Sequence, residues 1–409
     1  MEKKGRIGIP RALMFYRYVL FWRTFFESLG WEAIVSEGVG KKGKIIYFED
    51  SCLPMKLLVT HATSLASEVD HLFVPRLVSL HPKYILCPKF RGAPDIVRLA
   101  IEKKVSILDE TIDLRTRKHS YRNAFSKIGE KLNASTKEIY SAFSKAERSY
   151  SSFRNEWVDR INRLPTKDLF RLEVPTPGDS EVFPPLVGGE EGEGGERPCR
   201  QTVHGSRRAP RPAQRATGSP RTDHGTFKNN HLAVRPERVE GRAANYGSVF
   251  EGQGTPLRVA FIGHPYNLFD TDINKDILGL AKQLGMRILT SDLLSEEVIE
   301  HEISNLSKEI YWSSGREIVG SLFHFLSGGV DGVVFITSFK CGIDALLQEF
   351  VKRVLRIRGG SFVPFLVLSF DEHTGREGLT TRLEAFKDVI EERKRQASND
   401  KNPIPNKFQ

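Results

Sequence analysis

The chain has 409 residues, 39% of them hydrophobic and 27% charged, more than one hydrophobic core usually serves, so two domains are expected. No apolar run approaches the roughly 20 residues of a membrane span, and the basic start MEKKGRIGIPRALMFYRY lacks the apolar stretch and cleavage site of a secretory signal, so a cytoplasmic protein with no membrane partner is expected. The formal charge of +10 does not argue for nucleic acid, because 11 Lys+Arg against 3 Asp+Glu between Arg197 and Arg242 carry +8 of it and leave the remainder nearly neutral.

Arg6 to Pro10 reads as a first strand, followed by the loop Ile9 to Leu13 and an aromatic-rich helix from Phe15 to Leu29, with Gly30 as its stop. Trp31 to Val35 and Lys44 to Phe48 read as further strands, and a helix is expected from about Met55 to Ser67. Val69 to Val74 is a strand, Tyr84 to Leu86 a brief apolar element, Pro94 to Lys103 a helix, and Val105 to Leu108 a last strand of the first sheet. From Tyr121 to Leu164 the pattern is that of one or two long helices leading toward a second domain.

Between Pro175 and Gly254 the composition changes to Gly/Glu-rich and then Arg/Pro/Gly/Ser-rich sequence with no apolar period, which predicts a disordered insert. Its portion HLAVRPERVEGRAA resembles translated copies of short repetitive elements found in some bacterial genomes. The α/β pattern resumes with a strand from Leu257 to Ile262, a helix from Ile273 to Leu284 and a strand from Met286 to Thr290. Helices from Leu293 to Leu306 and Glu309 to Leu326, a buried strand from Val333 to Thr337, a helix opening after Cys341, a strand from Phe362 to Phe370 and a helix from Thr380 to Gln396 complete it. The expected division is 1–115 and 255–398 as α/β domains, 116–174 as bridging helices, 175–254 as the insert and 399–409 as a tail. Alternation of strands and helices at this spacing argues for mostly parallel sheets covered on both faces.

The loops that follow strands carry the unusual chemistry: IPRAL, EDSCLP, VPR, CPKF, GHPYN, SFKCG and DEHTG. Three of the four cysteines, Cys52, Cys87 and Cys341, lie in them, and Cys199 lies in the insert. Thiols at helix N-termini beside Lys56, Lys89 and Lys340 are expected to have lowered pKa values and to suit metal ligation by zinc or an iron–sulfur cluster. Plain burial of cysteine as a small hydrophobe is the alternative for each. His264 and His373 are candidate catalytic groups, with a turn histidine bonding its own loop as the alternative. Asp371 and Glu372 form a candidate acid/base pair or the first turn of the following helix. Arg11 and Arg76 could hold an anion, and His61 could face the core.

The phrases GIPRALMFYRY, CLPMK, FVPRLVSLHPKYILCPKF, GHPYNLFD, YWSSGREI, TSFKCGIDALLQE and DEHTGREGLTTRLEAF resemble the activase-related relatives of the 2-hydroxyacyl-CoA dehydratase and benzoyl-CoA reductase subunits, over roughly residues 5–165 and 256–390. The resemblance implies two Rossmann-like (flavodoxin-like) parallel-sheet domains facing a cleft. It also implies a [4Fe-4S] cluster held by Cys52, Cys87 and Cys341, an ATP-hydrolysing iron–sulfur activator as partner, and an acyl-CoA as the substrate class. No Gly-rich phosphate loop of the P-loop type occurs in the chain, so the resemblance points to the cluster-bearing partner rather than the ATPase. A non-catalytic accessory protein, or a zinc-stabilised α/β module with His61 or His373 as fourth ligand, are the other readings.

Overall fold

The computed structural model describes residues 3–39, 45–46, 48–163, 256–304, 306, 308–358 and 363–400. Four strands build a first parallel sheet: β1 (Arg6–Ile9), β2 (Glu32–Val35), β3 (His71–Phe73) and, after the short β4 (Arg76–Ser79), β5 (Ser106–Leu108). Its order is β2-β1-β3-β5, and β4 pairs separately with β6 (Thr111–Asp113). A second parallel sheet uses β7 (Leu257–Gly263), β8 (Met286–Thr290), β9 (Gly332–Ser338) and β10 (Phe365–Phe370), in the order β10-β9-β7-β8. Counted from each sheet's own first strand, both run second, first, third, fourth. This is the doubly wound pattern in which the chain reverses its winding direction between the first and third strands, here β1/β3 and β7/β9. Two Rossmann-like α/β halves are thus present as the sequence suggests.

Helix α1 (Phe15–Ser28) buries Phe15, Phe21, Trp22, Phe25 and Phe26. Leu29 and Gly30 follow, and Gly30 adopts φ +86°, a conformation open to glycine without a Cβ penalty, so the chain turns sharply into β2. After α2 (Leu53–Leu65) and α3 (Pro88–Ala100), two helices, α4 (Tyr121–Lys131) and α5 (Thr136–Arg163), fold back on α1. Phe21 meets Phe125 and Phe143 edge to face, with centroids 5.1 and 5.3 Å apart, a geometry that adds specificity to area burial.

Several elements differ from the sequence reading for identifiable reasons. The helix expected from Pro94 opens at Pro88 instead, because a proline costs least at the first helical position, and Pro94 lies inside the helix. The helix expected over Ile273 to Leu284 is divided. After the one-turn helix α6 (Pro265–Phe269) come α7 (Thr271–Asn274) and α8 (Ile277–Gln283), separated by Lys275 and Asp276, both left-handed. Asn274 explains the break: its amide donates to the carbonyls of Asn267 and Leu268 and accepts from the Asp276 N–H, competing with the helical ladder. Of the strand expected at Lys44 to Phe48, Ile45, Ile46 and Phe48 are in no strand, and the Ile46 N–H is satisfied by Thr60 Oγ1 of α2. The predicted insert lies outside the described residues, as does the predicted tail from 401 onward; its first two residues, Asn399 and Asp400, end the last helix.

The second half continues with α9 (Glu296–Ile303), α10 (Ser313–Ser327), α11 (Gly342–Arg358) and α12 (Arg376–Asp400). Where the halves meet, the line of contact is packed. One apolar core runs from Ile7 of β1 through Tyr266 and Phe269 to Ile390 of α12. Polar ties reinforce it: Arg17 pairs with Glu317 at 2.6 Å and Asp292 at 3.4 Å, Lys56 pairs with Glu372 at 2.8 Å, and Ile85 bridges to Trp312. No described helix is long and apolar enough to cross a membrane.

Candidate functional site

The three loop cysteines all stand at helix starts. Cys52 is the N-cap of α2, Cys87 that of α3, and Cys341 directly precedes α11. Pro54 and Pro88 pre-set the first turns of the first two helices. The N–H groups of Met55, Lys89 and Asp344 face the three sulfurs and ease their ionisation, short of a full cap hydrogen bond at Cys52 and Cys87. Two residues flanking the cysteines, Asp50 (φ 56°) and Lys340 (φ 65°), are left-handed and lie 3.6 Å apart as an ion pair across the seam. Backbone held in this region by non-glycine residues costs about 1–3 kcal/mol and concentrates at functional sites.

Cys341 feels both other cysteines. Burial and then neighbouring acids push the Cys341 thiol far up, with Asp344, Cys52 and Cys87 all contributing. Burial also raises Cys52, against the pull of Lys89 and with a push from Cys87 and Asp344; it raises Cys87 too, against Lys89 and with a push from Asp344 alone. The lowered thiol pKa values expected from sequence are therefore corrected. Basic neighbours are present, but desolvation and mutual repulsion of the acidic groups outweigh them. Tyr266 sits in the midst of the group, its phenol raised by burial and by Cys341, Asp344, Cys52 and Cys87. Thiols in this condition hold their protons until a cation replaces them.

His264 follows β7 and Cys341 follows β9, so both lie at the winding reversal of the second sheet, where ligands bind in folds of this type. The His264 ring is buried and stacks on Tyr266, with centroids 4.8 Å apart and planes 12° from parallel. Its Nε2 lies 2.7 Å from Oδ1 of Asp344, which is 0% exposed. Asp344 Oδ2 accepts from Thr337 Oγ1 at 2.8 Å and from Asn267 Nδ2 at 3.5 Å, and Ser338 Oγ donates to Asn267 Oδ1 at 2.8 Å. Gly263 makes this approach possible, since a Cβ there would come within 2.6 Å of the Ile336 carbonyl oxygen on the adjacent strand.

The other predicted residues have different company. Glu372 is tied to Lys56 on α2; burial works against its ionisation, but the Lys56 hydrogen bond prevails and holds its carboxyl below the usual range. His373 is exposed, and its N–H donates to Asp371 Oδ1, which also accepts from Thr374 Oγ1. These are the bonds of a tied turn, and no contact joins His373 to the cysteines among those resolved. Arg76 is engaged bidentately by Asp95 at 2.6 and 2.9 Å. His61 lies nine residues beyond Cys52 on α2, roughly 13 Å along the axis, and belongs to a second buried polar group with Arg11, Tyr16, Asp270 and Asp272.

Asp344 was not singled out by sequence, where an acid in a helix's first turn reads as a favourable partner of the dipole. Asn267 and Tyr266 were visible only as part of GHPYN. Residues 6–171 match the family model described as CoA enzyme activase uncharacterised domain (DUF2229). Cys52 and Cys87 fall within that match, and Cys341 and His264 fall outside it. No curated protein matches the chain.

Proposed function

We propose that this protein is an iron–sulfur component of coenzyme A enzyme activation, with one [4Fe-4S] cluster held by Cys52, Cys87 and Cys341 at the seam of the two halves. The observation that carries this reading is the placement of three thiols at three helix starts drawn from both halves, Cys52 buried and Cys87 and Cys341 half-buried, with Cys341 close enough to feel the charge of the other two. Soft sulfur donors converging without the close CxxC pairing of zinc fingers suit a cluster, whose thiolates bind separate irons. The donor set fits the group: N–H groups face the sulfurs, and hydrogen bonds to cluster thiolates are among the means by which proteins tune potential.

Bound there, such a cluster would supply single low-potential electrons. The chain's own part is to exclude water around it with Tyr266, Phe90 and Leu53, and to keep its two halves in register through the Lys56–Glu372 and Asp50–Lys340 pairs. The match to a CoA enzyme activase domain supports a role in coenzyme A enzyme activation; an ATP-hydrolysing iron–sulfur partner and an acyl-CoA dehydration or reduction are what the resemblance to the dehydratase subunits adds to the proposal.

The test is iron and acid-labile sulfide content after anaerobic purification or reconstitution, with EPR of the dithionite-reduced protein. About four of each per chain are expected, with the signal lost in Cys52→Ser, Cys87→Ser and Cys341→Ser. Full iron and sulfide in all three variants would sink the reading.

A further inference from the structure

A second group of candidate ligand atoms shares only Cys341 with the three-cysteine arrangement. One ligand atom each from His264, Cys341 and Asp344 lies within 4.8 Å of the other two, with His264 and Asp344 buried and Cys341 half-buried. The decisive detail is how the first and third face each other. His264 Nε2 and Asp344 Oδ1 are 2.7 Å apart, yet both are buried atoms without a hydrogen-bond partner. At that distance a well-aimed ring N–H would form a short hydrogen bond. Neither atom completes a hydrogen bond, so two buried polar atoms in close approach are left without an aligned proton between them.

The surroundings fix these atoms in place. Thr337 and Asn267 occupy the other oxygen of Asp344, and Ser338 holds the Asn267 amide. Tyr266 lies flat against the imidazole. Bonds of this kind to the outer atoms of ligands orient them and raise metal affinity. A carboxylate at 0% exposure whose second oxygen lacks a donor is costly unless a cation compensates it.

We propose that His264, Cys341 and Asp344 form a mononuclear site for a divalent transition-metal ion, Zn2+ or Fe2+, with a fourth position open. Imidazole, thiolate and carboxylate are the donors these ions share, and three protein ligands with an open position mark reactive rather than structural sites. Cys341 is common to this site and to the three-thiolate arrangement, so a chain loaded with the single ion has one thiolate fewer for a cluster. The protein thereby has two exclusive loading states.

The experiment uses the full-length chain, reduced and metal-free, titrated anaerobically with Co2+ as an optical probe. One equivalent should give the visible bands of a tetrahedral ion and a thiolate-to-cobalt band in the near ultraviolet. Affinity should fall about tenfold or more in His264→Gln, Asp344→Asn and Cys341→Ser, and stay within about twofold in Cys52→Ser and Cys87→Ser. A second measurement needs no variant: Zn2+ should slow alkylation of Cys341, read by mass spectrometry, while the rate at Cys87 is unchanged. Equal loss of cobalt binding in the Cys52 and Cys87 variants, absence of the thiolate band, or equal protection of Cys87 would overturn the proposal. These readouts involve no sulfide, so their failure is separate from failure of the cluster reading.

Discussion

The buried group around His61 and Asp270 makes an unusual prediction about pH. Asp270 is fully buried, and burial first, then Asp272, lifts its carboxyl from 3.8 to about 7, against the pull of Arg11. His61 is also buried, and burial lowers its imidazole from 6.5 to about 4 despite Asp272. At about 1.4 kcal/mol for each tenfold change in proton affinity, Asp270 contributes roughly 4 kcal/mol that is present below pH 4 and lost as pH rises to about 7. His61 runs the other way: roughly 3 kcal/mol is present above pH 6.5 and lost as pH falls toward about 4. The two slopes nearly cancel, so their joint contribution is flat across this window. Asp270→Asn should unmask the histidine, giving stability that climbs from pH 4 to 6.5 relative to wild type. His61→Gln should unmask the aspartate, giving stability that declines from pH 4 to 7. Denaturant unfolding at half-unit steps of pH reads both. Parallel profiles for the wild type and the two variants would refute the reasoning, because they would mean that neither group changes its proton affinity on folding.

Three further outcomes follow from the packing. Gly263→Ala should cost about 1–3 kcal/mol, since its methyl meets the Ile336 carbonyl oxygen, and it should weaken Co2+ binding by displacing His264; unaltered melting and binding would count against the described contact of β7 and β9. Arg316 is 1% exposed, stacks over the Tyr84 ring at 3.7 Å and pairs with Glu300, so Arg316→Ala should lower stability by about 2–3 kcal/mol, measured by thermal unfolding. Glu372 has a lowered pKa in the folded protein, so the stability it adds is present above pH 4.5 and lost as pH falls through its folded value. Glu372→Gln should therefore be about 1–3 kcal/mol less stable than wild type at pH 7 and converge with it once the pH has fallen below the folded value of Glu372.

The fold was legible where apolar runs carried it: β8 lies at Met286–Thr290 as read, and Phe15 to Ser28 is helical because one face is almost wholly aromatic. It was less legible where a side chain overrode the periodicity, as Asn274 does between α7 and α8. The short β4 and β6 carry too few apolar residues to announce a strand, and they pair only with each other. At the site, the strand-end cysteines were visible in sequence because a loop position after a buried strand has few structural reasons to be a thiol. The direction of their pKa shifts was not, since it depends on how deeply the halves bury them together. Asp344 was hidden for a similar reason: nothing local distinguishes an acid capping its own helix from one facing a histidine 80 positions earlier in the chain.

The division of the site between the two halves also sets a timetable during synthesis. Cys52 and Cys87 leave the ribosome with the first sheet, but Cys341 follows roughly 250 residues later, an interval of about 13 to 50 s at 5–20 residues per second. For that period the first half has its own sheet and aromatic core, with two thiols at its open edge and no third to meet them. Any ion taken up then would be held by ligands of one half only, and could itself obstruct the second half as it arrives. Under the proposed cluster assignment, loading has to wait for docking of the halves, and the exposed edge of the nascent first half is where a dedicated protecting factor would have most to do.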